Sequence, residues 1–165
     1  MTEEAETVTE IEIRRITTAD AGEVLTIQRA AFVSEALIYG DPNQPPLTQT
    51  FEQLEAELRD ARGFVAVRGR RIVGALRATE RDGVLQIGRI AVAPDIQGSG
   101  IGRQLLAAIE DDTDCAEAEL FTGSLSEANI ALYEDCGYRI VERIDQGDGT
   151  AQIFMRKRLD EGGAS

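Results

Sequence analysis

Ile90-Ala91-Val92-Ala93-Pro94-Asp95-Ile96-Gln97-Gly98-Ser99-Gly100-Ile101-Gly102-Arg103 decides how the chain is read. An apolar run stops at a proline, which has no N–H to give a ladder. Three glycines follow at alternate positions, and a helical pattern begins at once. Glycine permits backbone angles that turn successive N–H groups toward one point. The new helix N-terminus adds unpaired donors and a partial positive charge. Together these make a site for a pyrophosphate. A tight turn that merely allows close helix packing is the plainer reading of the same glycines. No Gly-Lys-Ser/Thr closes the loop, so it is not a P-loop. The spacing is G-x-G-x-G rather than G-x-G-x-x-G, and a meander precedes it instead of a βαβ unit, which argues against a dinucleotide fold.

Upstream, Ile11–Ile16 alternates as a strand, and Thr18-Ala19-Asp20 offers caps for a helix carrying Val24, Ile27 and Ala31 on one face. Residues 34–50 are the least regular, interrupted by Pro42, Pro45 and Pro46, before a short helix with Phe51, Leu54 and Leu58. Phe64–Arg68 and Arg71–Arg77 form a hairpin across Gly69-Arg70, and Asp82-Gly83 turns into a third strand, Val84–Val92. Downstream, a helix from about Gly100 to Glu110 buries Ile101, Leu105, Ala108 and Ile109, and Ala118–Thr122 is a strand. Ser124 and Glu127 have capping-box spacing for a helix that stops at Gly137. Tyr138–Ile144 and Ala151–Met155 finish as strands around Gln146-Gly147-Asp148-Gly149. The order β-α-α-β-β-β-α-β-α-β-β predicts an α/β fold with a mixed, mostly antiparallel sheet flanked by helices.

At 165 residues and 42% apolar content the chain suits one domain, expected over residues 10–159, with disordered tails at 1–9 (acidic) and 160–165. No membrane-length apolar run or signal-peptide pattern is present, so no membrane is expected. Two cysteines make no disulfide framework, so a reducing cytoplasm is the expected compartment. The net charge of −13 argues against nucleic acid; plain solubility is its first explanation, with mild support for a cationic substrate. The chain has no histidine, which removes Ser-His-Asp and Cys-His chemistry and the usual imidazole metal ligands, so no metal is expected.

The chain resembles the Gcn5-related N-acetyltransferase (GNAT) superfamily. That family's signature, Q/R-x-x-G-x-G/A after a strand ending in V-x-P, is matched by Gln97, Gly100 and Gly102 following Val92-Ala93-Pro94. A second motif, N-x-x-A-x-x-L-Y-x-x-x-G-F, is approached with slightly shifted spacing by Asn129 to Tyr138. The order of elements fits from about Ile11 to Arg156. The resemblance implies an acetyl-CoA-dependent enzyme that moves an acetyl group to a primary amine by direct attack. Gln97, Gly98, Ser99, Gly100, Ile101, Gly102 and Arg103 would hold the pyrophosphate. Ile90, Ala91 and Val92 would bind pantetheine as an added strand, and the Val92 N–H would stabilise the oxyanion. Asn129 would face the pantetheine arm, and Tyr133, four residues on, would protonate the departing thiolate. Core packing is the competing role for Tyr133 and the expected one for Tyr138. Some relatives carry a glutamate base where this chain has Gln86; Glu80, Glu35, Asp41 or a water chain ending in bulk solvent are the candidates left, with none preferred. Cys136 is expected to be a structural thiol.

The resemblance places the acceptor between residues 30–50 and 146–150. A small-molecule amine is the leading partner, and the absence of Lys and Arg from residues 34–50 points to a cationic one. Arg77 and Arg89, on the central strands, are the residues that could reach the cleft and reverse this. A protein N-terminus or lysine is the second reading, and a non-catalytic acetyl-CoA-binding regulatory module the third. A homodimer is left open beside a monomer.

Overall fold

The computed structural model describes residues 10–160, so the expected tail at 1–9, and all but the first residue of that at 160–165, lie outside the described residues. Strand β1 (Ile11–Arg15) is followed by a 3-10 turn (Thr18–Asp20), helix α1 (Ala21–Tyr39), a one-turn helix α2 (Pro45–Thr48) and α3 (Phe51–Leu58). The meander β2 (Arg62–Arg68), β3 (Arg71–Arg81) and β4 (Val84–Val92) leads through a second 3-10 turn (Pro94–Ile96) into α4 (Ile101–Asp111). Then come β5 (Glu117–Gly123), α5 (Glu127–Asp135), β6 (Arg139–Asp145) and β7 (Ala151–Arg158). The seven strands form one sheet in the order β1-β2-β3-β4-β5-β7-β6. Every neighbouring pair is antiparallel except β4 and β5. This is the mixed, mostly antiparallel α/β sheet expected from the sequence.

Strand alternation divides the apolar residues between two faces. On one face Val73, Leu76, Leu85 and Ile87 pack with Ile101, Leu105, Leu106 and Ile109 of α4 and Tyr133 of α5. On the other, Val65, Ile72, Ala75 and Ala91 meet Val24, Leu25 and Ile27 of α1 and Leu54 and Leu58 of α3. Each fully buried Leu or Ile contributes about 1.5–3 kcal/mol relative to exposure. Local signals fix the ends. Asp20 accepts hydrogen bonds from Arg14 Nη1 (2.9 Å), Arg14 Nη2 (3.0 Å) and the Thr17 N–H (2.8 Å) just before α1. Thr50 and Gln53 close a capping box at the start of α3.

Two expectations are corrected. Helix α1 runs to Tyr39, well into the stretch expected to be irregular, and stops at Gly40 (φ 65°), which takes the left-handed conformation. The prolines obscured this; Pro45 and Pro46 start α2, where a missing N–H does no harm. The residue before α5 is Ser126, not Ser124: the Ser124 hydroxyl accepts from the Ala151 N–H at 2.9 Å and so fixes the start of β7.

Candidate active site

The parallel pair β4–β5 is short. Val84, Leu85 and Gln86 pair with Glu117, Ala118 and Glu119, and no pairing follows. Beyond Gln86 the two strands diverge, β4 staying with β3 and β5 with β7. The divergence coincides with a bulge. Between the pairs Gly88–Arg77 and Ala91–Ala75, Arg89 and Ile90 stand opposite Leu76 alone, and Arg89 takes φ 55°. After the bulge the Ala93 N–H donates to Val73 O at 2.9 Å. Hydrogen-bonding direction alternates along an antiparallel strand, so the Val92 N–H and C=O point away from β3, into the opening. By the same alternation the Ala91 groups face β3, and its side chain lies in the opposite core. Ala91 therefore offers the cleft no backbone partner, contrary to expectation.

The glycine loop closes one end of the opening. Gly98 (φ 86°) and Gly100 (φ 88°) adopt conformations that L side chains rarely take, although space beside both is empty. Backbone angle, not crowding, calls for glycine here. Gly102 is different: an added Cβ would lie 3.3 Å from Leu132 Cδ2, so it serves close packing of α4 on α5. The Gln104 N–H donates to Gly100 O, which leaves the N–H groups of Ile101, Gly102 and Arg103 at the open end of α4. The Gln97 side chain donates to Val92 O (3.2 Å) and ties the loop to the strand, while the Ser99 hydroxyl donates to Ile96 O (2.6 Å). The Arg103 guanidinium turns toward α5, 3.6 Å from Asp135.

A cavity of about 750 Å³ runs from this loop along the divergence. Among its lining residues are Ile90, Val92, Gln97, Gly98, Gly100, Ile101, Gly102, Arg103, Asn129 and Tyr133. Of the expected residues, only Ala91 and Ser99 lie outside it. Asn129 Nδ2 donates to Thr122 Oγ1 at 3.3 Å. Tyr133 is 6% exposed, and its hydroxyl makes no hydrogen bond among the described residues. Burial first, and the charge of Glu35 second, push its pKa well above the usual tyrosine value, so it remains a neutral donor. Tyr138 packs edge-on against it and donates to Glu110 Oε2 at 2.7 Å, the structural role expected. Burial also raises the Cys136 thiol, which argues against a nucleophile.

Three groups the sequence did not link meet at the other end. Tyr39 Oη lies 2.7 Å from Ser126 Oγ, and the Ser126 hydroxyl donates to Glu35 Oε1 at 2.6 Å. The Leu125 N–H donates to Tyr39 Oη at 3.1 Å. Gly123 leaves room for that ring, since a Cβ there would be 2.0 Å from Tyr39 Oη. Glu35 lines the cavity. The other candidate bases do not: Glu80 pairs with Arg62 at 2.5 Å and accepts from Thr113, and Asp41 accepts from the Asn43 N–H in an exposed turn. Separation of 91 residues between Glu35 and Ser126 hid the contact from sequence reading.

Among the described residues no group of three or more His, Cys, Asp or Glu is placed to hold a metal ion, and no helix is long and apolar enough to cross a membrane.

A parallel pair that opens at a bulge, with a glycine loop and helix N-terminus at the mouth, is the arrangement that the resemblance to acetyltransferases implies. The family model described as acetyltransferase (GNAT) family matches residues 25–138, more than half of the chain. The chain belongs to that family. It is 27% identical over 130 residues to UPF0157 protein YqkA of Bacillus subtilis (strain 168), covering 78% of this chain and 37% of that one. It is 31% identical over 80 residues to the L-amino acid N-acyltransferase MnaT of Escherichia coli (strain K12), covering 44% and 46%. The chain thus spans less than half the length of these curated relatives. The paia N-acetyltransferase from Thermoplasma acidophilum, crystallised with coenzyme A, superimposes with a TM-score of 0.74 at 18% identity, over 90% of this chain and 99% of that one. The likeness to that structure concerns the fold.

Proposed function

We propose that residues 10–159 form a unit that binds acetyl-CoA and transfers its acetyl group to the primary amine of a small molecule. The observation that carries this reading is the alignment of the open β4 edge with the glycine loop and the α4 N-terminus, in one continuous cavity. A pyrophosphate at the loop would meet the N–H groups of Ile101, Gly102 and Arg103. Pantetheine would then lie along Val92 as an added strand. The coenzyme A in the paia structure supports the same use of the same fold here. Two free thiols, Cys115 and Cys136, agree with a cytoplasmic setting.

The amine nitrogen attacks the thioester carbonyl, forming a C–N bond as the C–S bond breaks. Negative charge on the carbonyl oxygen is met by the Val92 N–H. The electron pair leaves with sulfur, toward which the Tyr133 hydroxyl donates. The proton shed by the amine passes to Glu35, directly or through the Ser126 hydroxyl that donates to it. Glu35 is selected by position, since of Glu35, Glu80 and Asp41 it is the one that lines the cavity, and the Ser126 hydroxyl donates to it.

Thiol release from acetyl-CoA with a panel of small primary amines tests the reading. Glu35→Gln should lower kcat at neutral pH by about 10²-fold, the low end of general-base contributions, with acetyl-CoA affinity retained. Transfer at an undiminished rate in this variant would remove Glu35 from the mechanism. Failure of the native chain to bind acetyl-CoA would remove the reading itself.

A further inference from the structure

The bulge of β4 carries a cation with no ion pair of its own. Arg89 is half-buried, and its Nε is buried with no hydrogen-bond partner among the described residues. Its guanidinium makes no ion pair there either. The adjacent Arg77 is 3% exposed and fully engaged: Nε meets Glu57 Oε2 at 2.5 Å, and Nη1 meets Gln28 Oε1 at 3.1 Å. Gln49 Nε2 also donates to Glu57 Oε1, at 2.8 Å. Glu57, the carboxylate near both arginines, is thus committed to Arg77 and Gln49. One carboxylate therefore stands near two guanidinium groups and is bound to only one of them. Burial first, and Arg77 second, disfavour the charge on Arg89, with Glu57 the partial offset.

A buried guanidinium with an orphaned donor is costly unless something pairs with it. Arg89 also takes a positive φ, unusual for a residue with a side chain. That strain sits in the bulge, one residue before Ile90, which lines the cavity. A bulge re-aims the side chain it carries. Two features therefore converge on one residue: a guanidinium with no hydrogen bond or ion pair of its own, and a strained backbone next to a residue that lines the cavity.

We propose that Arg89 binds a carboxylate on the acceptor, which makes the acceptor an amine that also carries an acid group, of the α-amino acid class. The guanidinium fork matches a carboxylate with two parallel hydrogen bonds, and an incoming anion would restore the charge balance of the Arg77–Glu57–Arg89 group. With the carboxylate held at the bulge, the amine of the same small molecule lies toward the open edge at Ile90 and Val92. This replaces the cationic acceptor expected from residues 34–50. The Asp41 carboxylate of that stretch is taken by Asn43, and Glu35 already accepts from Ser126. The inference rests on the acetyl-transfer reading above.

The test measures kcat/KM for a panel of L-amino acids, each beside its carboxamide, which keeps the amine and removes the acid. Native protein should prefer at least one acid over its carboxamide by roughly 10- to 100-fold, the range of a charge-assisted hydrogen bond. Arg89→Asn removes the guanidinium yet tolerates a positive φ, and should erase that preference through KM. Arg89→Lys, which keeps charge without the fork, should retain part of it. Acetyl-CoA affinity reports whether each variant is folded. Absence of any acid preference in native protein, or its survival in Arg89→Asn, would overturn the assignment. Those outcomes leave acetyl-CoA binding intact, whereas loss of the parent reading would appear as no acetyl-CoA binding at all.

Discussion

A tyrosine hydroxyl beside a departing thiolate can either transfer its proton or simply donate a hydrogen bond. Thiols ionise near ~8.5 and unperturbed tyrosine near ~10. Burial and the charge of Glu35 raise Tyr133 further, so full transfer to sulfur runs uphill. Hydrogen-bond donation remains, at the low end of general-acid effects, which run from about 10² to 10⁴-fold. Tyr133→Phe should therefore lower kcat by about 10²-fold or less and leave acetyl-CoA affinity nearly unchanged. Single-turnover rates of acetyl transfer provide the measurement; an unchanged rate would return Tyr133 to packing. Its place in the cavity was legible in the second motif, because Asn129 and Tyr133 lie four apart on one helix. The Glu35–Ser126–Tyr39 chain was not legible, since nothing local marks contacts across so long a separation.

Among the elements, β4 and α4 determine where the glycine loop sits. Gly74 of β3 lies under α4, where a Cβ would come 2.7 Å from Ile101 Cγ2 and 3.2 Å from Leu105 Cδ1. Gly74→Val should push the N-terminal turn of α4 off the sheet. Overpacking of this kind costs about 1–3 kcal/mol, a melting decrease of roughly 3–10 °C for a chain of this size. Acetyl-CoA should also bind more weakly, because the displaced turn carries the free N–H groups. Calorimetric melting and titration of the variant check both; unchanged values would mean that α4 is not held as described. The end of β4 and the glycine loop could be read from the sequence because Pro94, Gly98 and Gly100 act through local backbone geometry. The bulge could not, since Arg89 with φ 55° carries no compositional mark. The end of α1 was hidden by the prolines that follow it, and the Ser126 start of α5 by the nearby Ser124, whose hydroxyl serves β7 instead.

At the level of the whole molecule, an acidic chain of net charge −13 is proposed to hold an anionic cofactor. The Arg103 guanidinium beside the loop is directed to Asp135, so affinity must come chiefly from backbone donors and the α4 N-terminus. Those donors exist in this arrangement only in the folded chain, and binding must therefore stabilise it. At about 100 times the dissociation constant, one-site linkage gives roughly 2.7 kcal/mol, a melting increase of about 5–10 °C. Thermal unfolding of native protein and Gly100→Asp across an acetyl-CoA series is the most direct test. The native chain should show that increase, and the variant should not respond, because its carboxylate occupies the open space beside Gly100 where the phosphates would lie. A native protein unmoved by millimolar acetyl-CoA, or a variant stabilised as much as the native, would contradict the account.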